Sequence, residues 1–172
     1  GSGGTALSIG IYFAEMLKAK GMKFRFARGG SNAYLVKMLE DGLVDYILDG
    51  QTFDLEGVRS MRENPTHVDT SPFTSYNYHS KGNFAQLVDV VILGATEVDV
   101  HFNANVVTHS DGVLLHGIGG WQNCLFAKCT ILPIPLFRDR IPVIREEVTT
   151  LCGPGELIDV IEVQLAVGGG IR

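Results

Sequence analysis

Apolar and polar residues follow two different periods in the first third of the chain. Leu7, Ile11, Ala14 and Leu17-Lys18 recur at three- and four-residue spacing. This predicts a helix over 5–20, with Thr5 able to cap its start and Gly21 to end it. Met22-Lys23-Phe24-Arg25-Phe26 then alternates with period two, the pattern of a strand. Gly29-Gly30 reads as a turn. Ser31-Asn32 starts a second helix with Tyr34, Leu35, Met38 and Leu39 on one face, closed by Gly42. Val44 to Leu48 reads as a short strand. Leu55, Val58, Met61 and Arg62 give a third helix, stopped at Asn64-Pro65. Helices and strands joined by short connections predict a parallel α/β unit.

The pattern then breaks. Residues 66–83 have no period and are rich in Ser, Thr, Asn, Tyr and Pro, and a loop of that length is often functional. Val88 to Leu93 is a β-branched apolar run that suits a buried strand. After it come short strand-like pieces at Val106-Val107, Val113 to Leu115, Thr130 to Ile134, Val143-Ile144 and Leu157 to Val163. The glycines 117–120 lead into a short helix over Trp121 to Ala127. The expected class is therefore α/β, an open sheet with flanking helices and a β-richer second half, in a single domain spanning 1–172.

Composition narrows the partners. The 172 residues carry 14 Lys and Arg against 19 Asp and Glu, a net charge of −5, which argues against a nucleic-acid or anionic-membrane surface. No apolar run approaches the ~20 residues of a membrane span. Cys124, Cys129 and Cys152 are odd in number and lack C-x-x-C spacing. Reduced thiols and a cytoplasmic location are expected, not a disulfide framework or zinc site. The five histidines share no metal spacing, so no metal is expected. Glycine is enriched, with 21 residues in all and clusters at 1–4, 29–30, 117–120 and 168–170. The chain opens inside a glycine loop and stops after Ile171-Arg172. It reads as a piece of something longer, with Gly1-Ser2 open to being a cloning remnant.

Three groupings offer chemistry. Gly117-Ile118-Gly119-Gly120 and Gly1 to Gly4 each precede a helix, where free backbone N–H groups bind an anion or a developing oxyanion; tight structural turns use glycine in the same way. Gly3, Gly4, Gly117, Gly119 and Gly120 are the candidates there. Glu97 follows the buried strand 88–93, and a carboxylate beyond a strand end can act as nucleophile or base. Asn103 and Asn105 lie close behind it, either as ligand contacts or, with Asp99, as groups satisfying turn backbone. Among the eight arginines, Arg28 beside Gly29-Gly30 is best placed to grip a carboxylate. His109-Ser110-Asp111 resembles a hydrolase triad only by adjacency, and no G-x-S-x-G elbow accompanies it.

Three long runs go further. They are Phe53-Asp54-Leu55-Glu56-Gly57-Val58-Arg59-Ser60-Met61-Arg62-Glu63-Asn64-Pro65; Asp89 to Asp99 (DVVILGATEVD), followed by Phe102-Asn103-Ala104-Asn105-Val106 and Ser110-Asp111-Gly112; and Arg138-Asp139-Arg140-Ile141-Pro142-Val143, leading to Val148-Thr149-Thr150 and Pro154-Gly155-Glu156. Together they resemble the C-terminal part of the citrate lyase α-subunit family, the citrate CoA-transferases. The likeness runs over the whole chain but about a third of the usual subunit. It implies a CoA-transferase-like fold, of a broad type shared with sugar-phosphate isomerases, that lacks a first domain and a strand and tail at its ends.

The implied reaction converts an acetyl thioester of the acyl carrier protein, or acetyl-CoA, and citrate into the citryl thioester and acetate. No tightly bound cofactor is implied; CoA or the carrier's phosphopantetheine thioester is a co-substrate. Implied partners are the citrate lyase β subunit and the γ (acyl carrier) subunit in an oligomer. Related transferases form a glutamyl-CoA thioester after the second strand of this domain. Here that position reads Phe26-Ala27-Arg28-Gly29-Gly30-Ser31, without a glutamate, which implies direct transfer in a ternary complex. On this reading Glu97, Gly119 and Gly120 are catalytic, and Gly3, Gly4, Arg28, Gly29, Gly30, Asn103, Asn105 and Gly117 bind substrate or CoA. Where related families place an Asp after the glycine turn, this chain has Trp121-Gln122-Asn123. A competing reading is a non-catalytic module that docks the carrier subunit.

Overall fold

A computed structural model describes residues 4–71, 73–74, 83–138 and 141–164. Contacts divide the chain into two compact units, Gly1–Phe84 and Ala85–Arg172.

The first unit is built as its periodicity predicts. Helix α1 (Gly4–Lys20) leads into β1 (Phe24–Ser31), followed by α2 (Ala33–Glu40), β2 (Val44–Thr52), α3 (Leu55–Glu63) and β3 (His67–Asp69). The three strands form a parallel sheet in the order β1-β2-β3. Leu17 of α1 is buried with Met38, Leu43 and Val44, which places α1 and α2 over one core. Burying one such side chain contributes about 1.5–3 kcal/mol. Asn32 caps α2, its side-chain oxygen accepting from the amides of Tyr34 and Leu35 at 3.1 Å each. Asp54 caps α3 through the Gly57 amide at 2.8 Å and also accepts from Ala33 N at 2.7 Å, joining the starts of both helices.

Three details depart from the sequence reading. The helix begins at Gly4, so Thr5 lies inside α1 and does not cap it. Gly29-Gly30 is no turn: β1 continues through it to Ser31 by a register shift, with Gly29 at φ +117. Glycine supplies the backbone angle that such a bulge requires. The stretch 66–83 contains strand β3, missed because only Val68 of its three residues is apolar.

The faces of this sheet differ. Ile47 and His67 are paired in register and buried, together with Asp49. On the other face Phe26 pairs with Tyr46, and Leu48 with Val68. Tyr46 is 49% and Val68 41% exposed, and Arg25, Phe26, Asp45, Tyr46 and Leu48 line a shallow depression there.

The second unit uses shorter strands: β4 (Val90–Ile92), β5 (Glu97–Asp99), β6 (Ala104–Asn105), β7 (Cys129–Pro135), β8 (Phe137–Arg138), β9 (Ile141–Pro142), β10 (Ile144–Arg145) and β11 (Val160–Gln164). A parallel sheet runs β11-β7-β4, a second sheet β10-β5-β6, and β8 pairs antiparallel with β9. Pro133 and Pro135 fall past the end of β4, where β7 has one neighbour, so their missing N–H groups break no central ladder. The core gathers Val91, Leu93, Val98, Ala104, Trp121, Leu132, Ile134 and Val143. Val106-Val107 and Val113 to Leu115 are not strands; 3-10 helices span Gly119–Leu125 and Gly155–Leu157. Glu97 stands on its own strand β5, not just past the strand that ends at Ile92.

Candidate functional site

In the first unit, chemistry collects at the carboxyl end of β1, the position where parallel sheets present ligands. Arg28 is half-buried and pairs in register with Leu48, so it shares the face opposite Asp49. The space a Gly29 side chain would enter is open, whereas at Gly30 the Phe53 ring occupies it. Below the bulge, Asp49 is 1% exposed and accepts from Ser31 N at 3.2 Å, Ser31 Oγ at 2.5 Å, Gln51 N at 2.9 Å and Thr52 Oγ1 at 3.0 Å. His67 Nε2 lies 3.3 Å from the same carboxylate. Burial pushes the Asp49 carboxyl up, but hydrogen bonds led by Ser31 outweigh it and hold the group below the usual range.

In the second unit, Glu97 is 1% exposed and central to a polar web. Its oxygens accept from Asn105 Nδ2 at 2.8 Å, Thr149 N at 3.0 Å and Thr149 Oγ1 at 3.2 Å. Arg145 approaches to 3.9 Å, a long ion pair. Burial raises the Glu97 carboxyl, and bonds from Ser110, Asn105 and Thr149 more than offset this, leaving it lowered and ionised near neutral pH. The web thus brings Glu97 and Asn105 into direct contact. Asn105 also donates to Thr108 Oγ1 at 2.8 Å, and its Oδ1 accepts from the amides of Val107 and Thr108. Asn103 stands one step away. It donates to Asp99 at 3.1 Å and accepts from Gly155 N at 3.0 Å, which is the turn-satisfying arrangement. Asp99 is likewise lowered, burial again being outweighed by bonds from Asn103, His101 and Val148.

Gly117 and Gly119 are exposed, Gly119 at φ +62, and Gly120 is half-buried where the chain kinks into the 3-10 helix. Asn123 Nδ2 donates to Gly120 O at 2.7 Å and fixes that end. Thr96, His109, Ser110, Arg138, Ile141, Pro142 and Val143 line a small polar pocket. Gly4 is the first residue of α1, and Gly3 lies outside the described residues. Among the described residues no three His, Cys, Asp or Glu side chains cluster as metal ligands, and no helix is long and apolar enough to cross a membrane.

Sequence reasoning missed Asp49, His67 and Thr149. Asp49 ends a β-branched and apolar run, an unusual place for a carboxylate, and that was the available signal. Thr149 lies 52 residues from Glu97, and no local pattern links them.

Residues 1–169 match the family model "Citrate lyase, alpha subunit (CitF)". The citrate lyase alpha chain of Haemophilus influenzae is 40% identical over 162 residues, and that of Escherichia coli 36%. Each alignment covers 94% of this chain and 32% of the relative. The chain therefore spans about a third of the length of these relatives. Among solved structures, the putative α subunit of citrate lyase from Streptococcus mutans, in complex with citrate, superposes with a TM-score of 0.90 at 36% identity, covering 95% of this chain and 32% of that one. The malonate decarboxylase α subunit of Acinetobacter baumannii gives 0.65 at 16% identity, covering 95% and 39%, a likeness of fold alone. The fold is thus the expected CoA-transferase-like α/β type.

Proposed function

The chain belongs to the citrate lyase α-subunit family, and from that premise we propose that it is part of a citrate CoA-transferase. It would act on citrate and an acetyl thioester, carried by CoA or by the acyl carrier subunit, in a complex with the β and γ subunits. The observation that carries this reading is the match over residues 1–169, joined to a structural neighbour at TM-score 0.90 that is described in complex with citrate.

The proposed route needs no enzyme thioester. A citrate carboxylate oxygen attacks the acetyl thioester carbonyl. The tetrahedral oxyanion collapses, breaks the C–S bond and leaves a mixed anhydride and a thiolate. The thiolate attacks the citryl carbonyl of the anhydride and releases acetate. Both steps depend on proximity and on N–H donors aimed at developing charge. Within the first unit, Arg28 and the Gly29-Gly30 bulge are assigned to the carboxylate partner; within the second, taken by itself, Gly117, Gly119 and Gly120 are kept as candidate backbone donors. The segment 26–31 contains no glutamate, which supports direct transfer. Both Glu97 oxygens accept hydrogen bonds, so the carboxylate is assigned a supporting part, holding Asn105 and Thr149.

The test uses the full-length subunit with acetyl-CoA and citrate, following citryl-CoA by mass spectrometry. Arg28→Ala is expected to cut turnover at least tenfold, since it removes a charge-assisted contact. Unchanged turnover together with weakened carrier binding would instead favour a docking module. A glutamyl-CoA adduct trapped by hydroxylamine or borohydride would overturn direct transfer.

A further inference from the structure

We propose that Asp49 is the positioning residue of the Arg28–Ser31 bulge: one buried carboxylate ties together the ends of three strands and holds the substrate-facing backbone in a single geometry. This rests on the assignment of Arg28, Gly29 and Gly30 to the carboxylate substrate.

The bulge has a mobility problem to solve. It contains two glycines, one at φ +117, and open space lies where a Gly29 side chain would be. Glycine is the residue with most conformational freedom to lose. Upstream, the β1–β2 ladder fixes Arg28 against Leu48. Downstream, Asp49 takes over. It accepts from both the amide and the hydroxyl of Ser31, so the residue after the bulge is held by main chain and side chain together. Gln51 N and Thr52 Oγ1 anchor the same carboxylate to β2, and His67 anchors it to β3.

The second layer is also complete. His67 Nδ1 lies 2.8 Å from Ser60 Oγ on α3, and Ser60 Oγ accepts from Asn64 Nδ2 at 2.9 Å. Protons are accounted for when Ser60 donates to Nδ1 and Nε2–H donates to Asp49. Ser31, Asp49, Ser60 and His67 are each no more than 3% exposed. A side chain at Gly57 would lie 2.7 Å from Ser31 Oγ and 2.6 Å from Thr52 Cγ2, so the first turn of α3 closes over the cluster. Despite its Ser, His and Asp, this is no hydrolase triad. Ser31 bonds to Asp49, and Ser60, which does bond His67, is like Ser31 sealed from solvent, so no substrate can reach either hydroxyl. The function left to it is placement, and small misplacements of reacting groups are costly.

The test uses the full-length subunit with Asp49→Asn and, as a milder variant that keeps the fold, Ser31→Ala. Amide hydrogen exchange of the peptide covering 28–31 reads placement without activity. We expect about tenfold faster exchange in Asp49→Asn and a smaller increase in Ser31→Ala, with α1 and residues 129–135 unchanged. Steady-state kinetics reads the consequence. KM for citrate is expected to rise about tenfold while KM for acetyl-CoA stays within about twofold. A merely structural role would lower kcat through lost active protein and leave both KM values alone. If Asp49→Asn does not fold, Ser31→Ala decides. Unchanged exchange at 28–31 in the folded variants overturns the proposal. Faster exchange with no citrate turnover even in wild type would overturn the functional reading and leave the positioning intact.

Discussion

Each unit buries an ionised carboxylate, and the two are held by different means. Asp49 takes its partners from Ser31, Gln51, Thr52 and His67, all within 18 residues in sequence. Glu97 depends on Thr149, 52 residues away, as Asn103 depends on Gly155 at the same separation. The first unit is a repeating βα structure whose helix and strand spacing brings neighbours together. Around Glu97 the second has strands of two or three residues, too short to set their own register, and polar side chains stitch distant loops onto them. A buried carboxylate in such a unit is a fastener as much as a chemical group.

The comparison can be broken at its strongest point first. Glu97→Ala strands the buried Asn105 amide and the Thr149 amide, and is expected to cost about 3–5 kcal/mol. Trp121 is the single tryptophan and sits in the second unit's core, so its fluorescence in urea reports on that unit. Its midpoint should fall further than that of the helical circular dichroism, to which α1, α2 and α3 contribute. Coincident shifts would merge the two regions into one cooperative body.

Gly155→Ala comes next. A side chain there would run into the backbone carbonyl of His101, which cannot swing aside, and about 2–3 kcal/mol should be lost by urea titration. The matching change in the first unit, Gly30→Ala, meets only the ring of Phe53, which is half exposed and can rotate away. Its cost should stay near or below about 1 kcal/mol. Equal losses at the two glycines would erase the contrast.

Acid sharpens the same picture. Asp49, Glu97 and Asp99 all sit below their ordinary values in the folded chain. Their contribution to stability is therefore fully present above the unfolded values near about 4 and is lost as pH falls through the lowered folded ones. Urea midpoints should be flat from about pH 7 to 5 and drop below about pH 4. In Glu97→Ala the drop should be shallower, because one of the lowered carboxyls is gone. The smallest effect belongs to Arg59→Ala. Its links to Glu40, Glu56 and Glu63 are on the surface, and the urea midpoint should move within the scatter of surface changes.

What the sequence makes legible follows the same division. The helices at 4–20, 33–40 and 55–63 were readable because apolar spacing, and at the second the start signal Asn32, act over a few residues. So was the parallel α/β class. The bulge at Gly29-Gly30 read as a turn because the same residue type serves both, and only pairing with β2 distinguishes them. Strands β5 and β6 were invisible because two or three residues cannot show a period. Glu97, Asn103 and Asn105 were picked out together, and two of them do touch, but the sequence could not say that Thr149 would occupy the carboxylate. Asp49 escaped notice because its partners arrive from three strands at once.

The sheet in the first unit carries one more consequence. Parallel sheets are ordinarily sheltered on both sides. Here Phe26, Tyr46, Leu48 and Val68 leave an oily side facing water. A preparation of this polypeptide by itself should be sticky, prone to clumping as it is concentrated, and the remedy is to paint that side with charge at Tyr46 and Val68 while leaving Ile47, Asp49 and His67 untouched beneath.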